Sequence, residues 1–366
     1  MIKFNMERIF YPIGQGAFYA EKFKNEDGGV FNVVYDCGVG TNDNNPRGIQ
    51  TVSNAFQQNE TIDILFISHL DSDHVNMIPT LIKGRNIKNV ILPLVKNDTF
   101  IINLFKIMNI NGQYDTTIKI LTNKQSFFEE TNIIEVERLN ESSQDILQET
   151  IDVNNLNQNI PSKTCIKTNL DWVYIPVNYD QSNLKNELNQ KLKTHENIYW
   201  HNIDLTDDSQ VKDIINDTDK RKELRNIYSK LKGNINLNSL VVYSGPENEN
   251  SWYISNIEYG GNMSFFTDKP SCIFTGDTEL KKMKIRSTFS LYYNLVGTIQ
   301  VPHHGSEKNH DISQYDENTI CPISVGKNRY RHPSPYVIGD LKQKNCEVFC
   351  VTDNPDHFLK ETIIKY

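Results

Sequence analysis

The stretch ILFISHLDSDHV, residues 64–75, constrains the fold more than any other part of the chain. An apolar run with the character of a buried strand passes directly into His69, Asp71, Asp73 and His74. Ionisable groups at the end of such a strand must be hydrated, paired or bound to a cation, because an isolated charge in apolar surroundings is too costly. A polar turn and a metal cradle both meet that condition, so the rest of the sequence has to decide between them.

The flanking residues read as α/β. TIDILFIS is short, apolar and rich in β-branched residues, as expected of a strand covered on both faces. HVNMIPTLIKG has helical periodicity and stops at Gly84, and IKNVILPLV supplies another strand. Residues 61–95 are therefore expected to form a strand-helix-strand unit. Upstream, FYPIGQGAFYAEKF and GGVFNVVYDCGVGT predict two strands joined by a turn at Asn25 to Gly29; the glycines of IGQG lack the spacing of a phosphate loop. Downstream, NSLVVYSG, SCIFTGD, GTIQVPHHG, TICPISVG and EVFCVTD predict further strands. Between 96 and 235 the pattern weakens into polar, Asn-rich sequence with a charged helix-like stretch, DSQVKDIINDTDKRKELRNIYSKLKG. That segment is expected to be an insertion within a single domain spanning 1–366.

Ligands of α/β sheets collect beyond strand ends, and several strand ends here carry reactive residue types. His69, Asp71 and Asp73 alternate, so an irregular turn can converge them, while Asp73 and His74 can face a second point. That pattern suggests two cations. Asp277 in FTGD is the candidate bridging carboxylate, with Gly276 before it permitting close backbone approach. VPHHGSEKNH offers His303 and His304, one to ligate metal and the other to act as general acid or steady charge, with Ser306 to bind phosphate or cap a helix. SVGKNRYRHPSP interleaves Lys327, Arg329 and Arg331 with Asn328, Tyr330 and His332, a local strip suited to gripping phosphate or stacking a base. His195, His201, His310 and His357 have no partner at ligand spacing and are expected at the surface.

Composition narrows the classes further. With 38% hydrophobic and 23% charged residues the chain can bury a full core. A net charge of −8 gives no broad electrostatic footprint for duplex DNA, so any polyanion must be held locally. The six cysteines are scattered and several fall in apolar runs, which fits free thiols in a reducing cytoplasm. No stretch is long and apolar enough for a membrane span or a secretion signal, so no membrane partner is expected.

In their order, SHLDSDH, FTGD, VPHHGS and SVGKNRYRHP resemble the metallo-β-lactamase superfamily. The H-x-D-x-D-H form with a following HHGS is similar to the hydrolase domain of the competence protein ComEC and its stand-alone relatives; IGQGAF, VVYDCG and LNSLVVYSG strengthen the likeness. The resemblance covers roughly residues 9–95 and 236–353. It implies a four-layer αββα sandwich carrying a polar insertion and two divalent metal ions, zinc or manganese. His69, Asp71, Asp73, His74 and Asp277 fall on its metal-motif positions, with His303 favoured over His332 to complete the second site. The implied chemistry is attack by a metal-bridging hydroxide, with Asp73, His304 and His332 in catalytic roles and His304 or His332 protonating the leaving oxygen. Ser306, Lys327, Asn328, Arg329 and Tyr330 are expected to touch substrate. A phosphodiester of nucleic acid or a nucleotide is the first expectation. Carboxyl ester, lactone or thioester hydrolysis at the same site is the alternative, and a non-catalytic partner protein docking through the insertion is another.

Overall fold

Thr61–Phe66 forms a strand with parallel neighbours on both sides, and its burial follows from that position. Ile64 and Phe66 face one core while Leu65 and Ile67 face another, the period of two that a doubly covered strand requires. The structure, a computed structural model, describes residues 4–40, 46–94, 99–109, 115–139, 149–180, 184–231, 238–248, 252–264, 267–326 and 331–365.

The first part of the chain runs β1 (Phe4–Phe10), β2 (Phe18–Asn25), β3 (Val30–Cys37), α1 (Pro46–Asn54), β4 (Thr61–Phe66), α2 (Ser72–Val75), α3 (Ile78–Leu81) and β5 (Asn86–Pro93). Then come α4 (Thr99–Met108), α5 (Asp115–Phe127), β6 (Asn132–Val136), β7 (Thr150–Asp152), β8 (Asn159–Ile160), β9 (Cys165–Lys167) and β10 (Trp172–Asp180). Three helices follow, α6 (Leu184–Lys193), α7 (Asp208–Asn216) and α8 (Thr218–Ser229), then β11 (Asn238–Pro246), β12 (Trp252–Tyr259), β13 (Asn262–Ser264) and β14 (Ser271–Phe274). The chain closes with α9 (Ile285–Thr288), β15 (Val296–Ile299), β16 (Ile320–Ser324), α10 (Pro335–Gln343), β17 (Glu347–Val351) and β18 (Leu359–Lys365).

Among the described residues these strands make two mixed sheets, in the orders β13-β12-β18-β1-β2-β3-β4-β5-β6-β8 and β17-β16-β15-β14-β11-β10-β9-β7. The sheets pack face to face over Phe10, Tyr19, Tyr35, Phe66, Tyr174, Val242 and Phe274. The outer face of the first is covered by Val52 of α1, Ile78 and Leu81 of α3 and Ile120 of α5. The outer face of the second is covered by Ile285 of α9 and Val337 and Leu341 of α10. This is the four-layer αββα sandwich expected from the sequence. No described helix is long and apolar enough to cross a membrane.

The segment 96–235 divides in two. Residues 132–180 supply β6 and β8 to the first sheet and β7, β9 and β10 to the second, and β10 pairs with β11 along its whole length from Trp172↔Pro246 to Asp180↔Asn238. Pro176 and Asn178 inside β10 break the apolar pattern that would have marked it as a strand. Elsewhere in the segment, α5 packs on the first sheet, and α4, α6, α7 and α8 share a separate core around Trp200, with Leu104, Leu188, Val211, Ile214, Leu224 and Ile227. Asp207 and Asp217 cap α7 and α8 by accepting backbone N–H bonds.

Strand β1 was not expected either, because an arginine occupies one of its inward positions. Arg8 is fully buried and donates to Glu21 of β2 at 2.7 Å, to Glu361 of β18 at 2.5 Å and to the carbonyl of Pro270 at 3.0 Å. Tyr174 of β10 donates to Glu21 at 2.8 Å and Thr298 of β15 to Glu361 at 2.5 Å, so one ionic cluster ties both sheets together. Removing its only cation strands two buried carboxylates. Arg8→Met should lower stability by about 3–5 kcal/mol in urea unfolding; a loss below about 1 kcal/mol would show the cluster to be energetically idle.

Candidate metal centre

Four parallel strands end at one edge of the sandwich. β4 leads through Ser68 into His69, Asp71 and the short α2 that carries Asp73 and His74. β14 leads through Thr275 and Gly276 to Asp277, and β15 through Pro302 to a single 3-10 turn, His303–Gly305. β16 ends at Ser324 behind that turn. Two close approaches make the convergence possible. A Cβ on Gly38 would lie 2.4 Å from the carbonyl oxygen of Asp73, and one on Gly276, which has φ +53°, would lie 2.3 Å from Ser239 Oγ. His303 and His304 themselves have φ of 48° and 54°, a left-handed backbone that side chains rarely adopt.

The orientation of the rings follows from counting protons. Asp36, fully buried at the end of β3, accepts the Ser68 backbone N–H at 2.7 Å, the Ser68 hydroxyl at 2.6 Å and His74 Nδ1–H at 2.8 Å. Ser68 has only one hydroxyl proton and gives it to Asp36, so His69 Nδ1, 2.8 Å from Ser68 Oγ, must be the donor in that pair. Asn309 donates its amide to the Asp277 carbonyl at 2.7 Å, which leaves its Oδ1 to accept from His303 Nδ1 at 3.2 Å. His304 Nδ1 donates to the Ser324 carbonyl at 3.2 Å. All four imidazoles thus spend Nδ1–H on a partner and turn Nε2 inward, the arrangement that orients metal-ligating histidines.

Asp277 stands between the inward nitrogens. Its Oδ2 is 3.6 Å from Nε2 of both His69 and His303, and its Oδ1 is 3.4 Å from His74 Nε2. Asp71 Oδ2 is 3.5 Å from His69 Nε2, and Asp73 Oδ2 is 3.3 Å from His304 Nε2. Among the described residues two sets of converging donors result, His69-His74-Asp277 and Asp73-His74-His304. His69 Nε2, His74 Nε2 and Asp277 Oδ1 are buried with no hydrogen-bond partner. Their separations are too long for charge-assisted hydrogen bonds but match the ~3.4 Å edges of a coordination tetrahedron with bonds of about 2.1 Å. The residues therefore fit divalent cations of the kind that nitrogen and carboxylate donors select.

Electrostatics at the site are set by close opposite charges. Burial and the neighbouring His74 both oppose protonation of His69, yet Asp277 and Asp71 outweigh them and hold it up at about 9. His74 is likewise raised against burial, by Asp36 and Asp277. Burial opposes ionisation of Asp277 and Asp73, but the histidines around them hold both carboxyls below the usual range. His332, half-buried with its ring centroid 5.6 Å from that of His303, is lowered to about 4 by burial and then by His303 and His304, so it is neutral at pH 7.

Of the remaining residues singled out in the sequence, Ser306 is buried, its backbone N–H closing the turn onto the His303 carbonyl at 3.0 Å. Arg331 is exposed; Lys327, Asn328, Arg329 and Tyr330 lie outside the described residues. The surface placement of His310 is corrected: it is 3% exposed, with Nε2 3.5 Å from Asp340 of α10. Asp36, Ser68 and Asn309 were missed as site residues. Asp36 had a visible signal, an aspartate closing the apolar strand VVYDC, but its partners are 32 and 38 residues away.

The chain matches no protein-family model and no curated protein. Among solved structures it is similar to one described as a long form RNase Z from yeast, with 10% identity and a TM-score of 0.30, over 88% of this chain and 33% of that one. It thus spans a third of that protein's length.

The charge states above make cation binding a competition with protons. The raised His69 stabilises the metal-free protein fully below its unfolded value near 6.5 and loses that contribution as pH rises through about 9. Cation affinity should rise over the same window. Calorimetric titration of manganese or zinc at pH 7.5, in buffers of differing ionisation enthalpy, should show net proton release; uptake without release would contradict the assigned charge states.

Proposed function

We propose that this chain is a metal-dependent hydrolase of the metallo-β-lactamase superfamily, of the ComEC-like kind, with residues 1–366 forming one catalytic domain that cleaves phosphodiesters of nucleic acid or a nucleotide. The observation that carries this reading is Asp277, whose Oδ2 faces Nε2 of His69 and His303 while its Oδ1 faces Nε2 of His74. His69, Asp71, His303 and Asp277 Oδ2 would hold one divalent cation, and Asp73, His74, His304 and Asp277 Oδ1 the other. The chemistry supplied by two such ions, zinc or manganese, is acidification of water and neutralisation of charge at a phosphoryl centre.

The chain's own residues set the conditions for that chemistry. Asp71, Asp73 and Asp277 place three carboxylates at the opening, so without cations the site repels a phosphate and with them it attracts one. Asp71, standing where relatives in the resembling superfamily carry histidine, makes the donor set harder and more anionic. His304 gives its Nδ1 proton to the Ser324 carbonyl, which suits Nε2 to ligation more than to proton donation. His332 is neutral at pH 7 and lies beside His303, so its ring can offer a nitrogen lone pair to a hydrogen-bond donor there. The strip Lys327 to Tyr330 directly precedes Arg331 and His332 in sequence and supplies cations and an aromatic ring for a short or single-stranded segment.

The test is a cleavage assay of purified protein on single- and double-stranded DNA, RNA, and chromogenic phosphodiester and carboxyl ester substrates, with manganese, zinc or magnesium and with EDTA. Metal-dependent phosphodiester cleavage is expected, abolished by EDTA and reduced about a hundredfold or more by Asp277→Asn. Ester turnover without cleavage of any phosphodiester would overturn the substrate assignment, and full activity of Asp277→Asn would overturn the dinuclear site.

A further inference from the structure

Asp277 sits on a turn whose backbone is clamped at every polar group. The Asp277 N–H donates to Ser239 Oγ at 3.1 Å, and its carbonyl accepts from Asn309. The Gly276 carbonyl accepts the His303 N–H at 3.1 Å. The two remaining donors, Thr275 N–H and Gly276 N–H, both point at one atom, Gln300 Oε1, at 2.9 and 3.2 Å. Gln300 follows β15 and is 4% exposed. Its backbone is held in turn, its N–H by the Ile273 carbonyl at 3.0 Å and its carbonyl by the Thr275 hydroxyl at 2.9 Å.

The other end of the same amide runs toward the opposite half of the site. Gln300 Nε2 donates to the Tyr19 hydroxyl at 3.3 Å, and that hydroxyl shares a hydrogen bond of 2.9 Å with Ser324 Oγ. Ser324 is the residue whose carbonyl takes the His304 Nδ1 proton. Gln300 and Tyr19 thus form a buried link from the turn carrying the bridging carboxylate to the residue fixing the ring of His304. We propose that Gln300 and Tyr19 are positioning residues that hold Asp277 and His304 in mutual register, so that both cations are bound at one fixed spacing. The inference rests on the metal-centre reading above and deepens it.

Side-chain amides suit this task for a physical reason. One Oε1 has two lone pairs and can accept two backbone N–H groups, while Nε2 remains free to donate elsewhere. No apolar residue of that volume can do either, and a carboxylate can do only the first. Partners of this kind, one shell out from the ligands, typically change metal affinity about 10–100-fold when removed.

The test compares three variants by metal affinity, read by competition with a chelating dye, and by the visible spectrum of the cobalt-loaded protein. Tyr19→Phe removes the link while keeping the ring and the turn. Gln300→Glu keeps an acceptor for both N–H groups and loses the donor to Tyr19. Tyr243→Phe is the control, since Tyr243 is equally buried and its hydroxyl is paired to Ser271 Oγ at 2.8 Å in the outer core of the second sheet. Tyr19→Phe and Gln300→Glu should each weaken cobalt binding about tenfold or more and alter its spectrum, whereas Tyr243→Phe lowers thermal stability and leaves both unchanged. Equal cobalt affinity and spectra in all three would overturn the positioning role. Should wild-type protein bind no cobalt, the metal-centre reading itself fails, an outcome distinct from failure of the link.

Discussion

The site depends on one buried carboxylate that never faces its interior. Asp36 takes three hydrogen bonds from Ser68 and His74, and through the Ser68 hydroxyl it also dictates which nitrogen of His69 carries a proton. Two imidazoles separated by an irregular turn are thereby fixed in the same tautomer, with Nε2 inward. A carboxylate at 0% exposure is tolerable because each of its oxygens is satisfied, and a charge so placed holds its donors more firmly than any neutral acceptor.

The sandwich exists around that constraint in a definite way. Parallel strands bring Ser68, Asp277, His303 and Ser324 to one edge, and the antiparallel strands on either side anchor them. Gly38 and Gly276 let the α2 turn and the Asp277 turn come closer than side chains would allow. Away from the site the same inter-sheet core contains the Arg8-Glu21-Glu361 cluster, whose hydrogen bonds are directional where the surrounding apolar packing is not. Both polar networks are buried and heavily satisfied, but only the one at the strand ends leaves lone pairs turned inward.

Much of the site was legible in the sequence because ligand-type residues stand directly after apolar strands: His69 through His74, Asp277, and His303 with His304. The central strands were legible for the same reason, since parallel, doubly covered strands read as continuous apolar runs. Other parts were hidden by long-range pairing. β1 pairs with β18, the two ends of the chain, and each reads as a polar alternation in which Arg8 or Glu361 points inward. β10 was masked by Pro176 and Asn178; of the helical core around Trp200, α7 and α8 were legible as the charged helix-like stretch from Asp208, whereas α4 and α6 were not. Asp36, Gln300 and Tyr19 are ordinary residues by type; what distinguishes them is a set of partners that only the folded chain brings together. Lys327 to Tyr330 lie outside the described residues.

On the proposed reading, the carboxylate of Asp277 would hold a cation at each of its two oxygens. Anomalous scattering from crystals soaked in manganese tests it most directly. Two peaks about 3.5–4 Å apart are expected on either side of that carboxylate, one within reach of His69 and the other within reach of His74 and His304. No peak within the cluster, or manganese bound only elsewhere on the protein, would contradict a dinuclear site at Asp277.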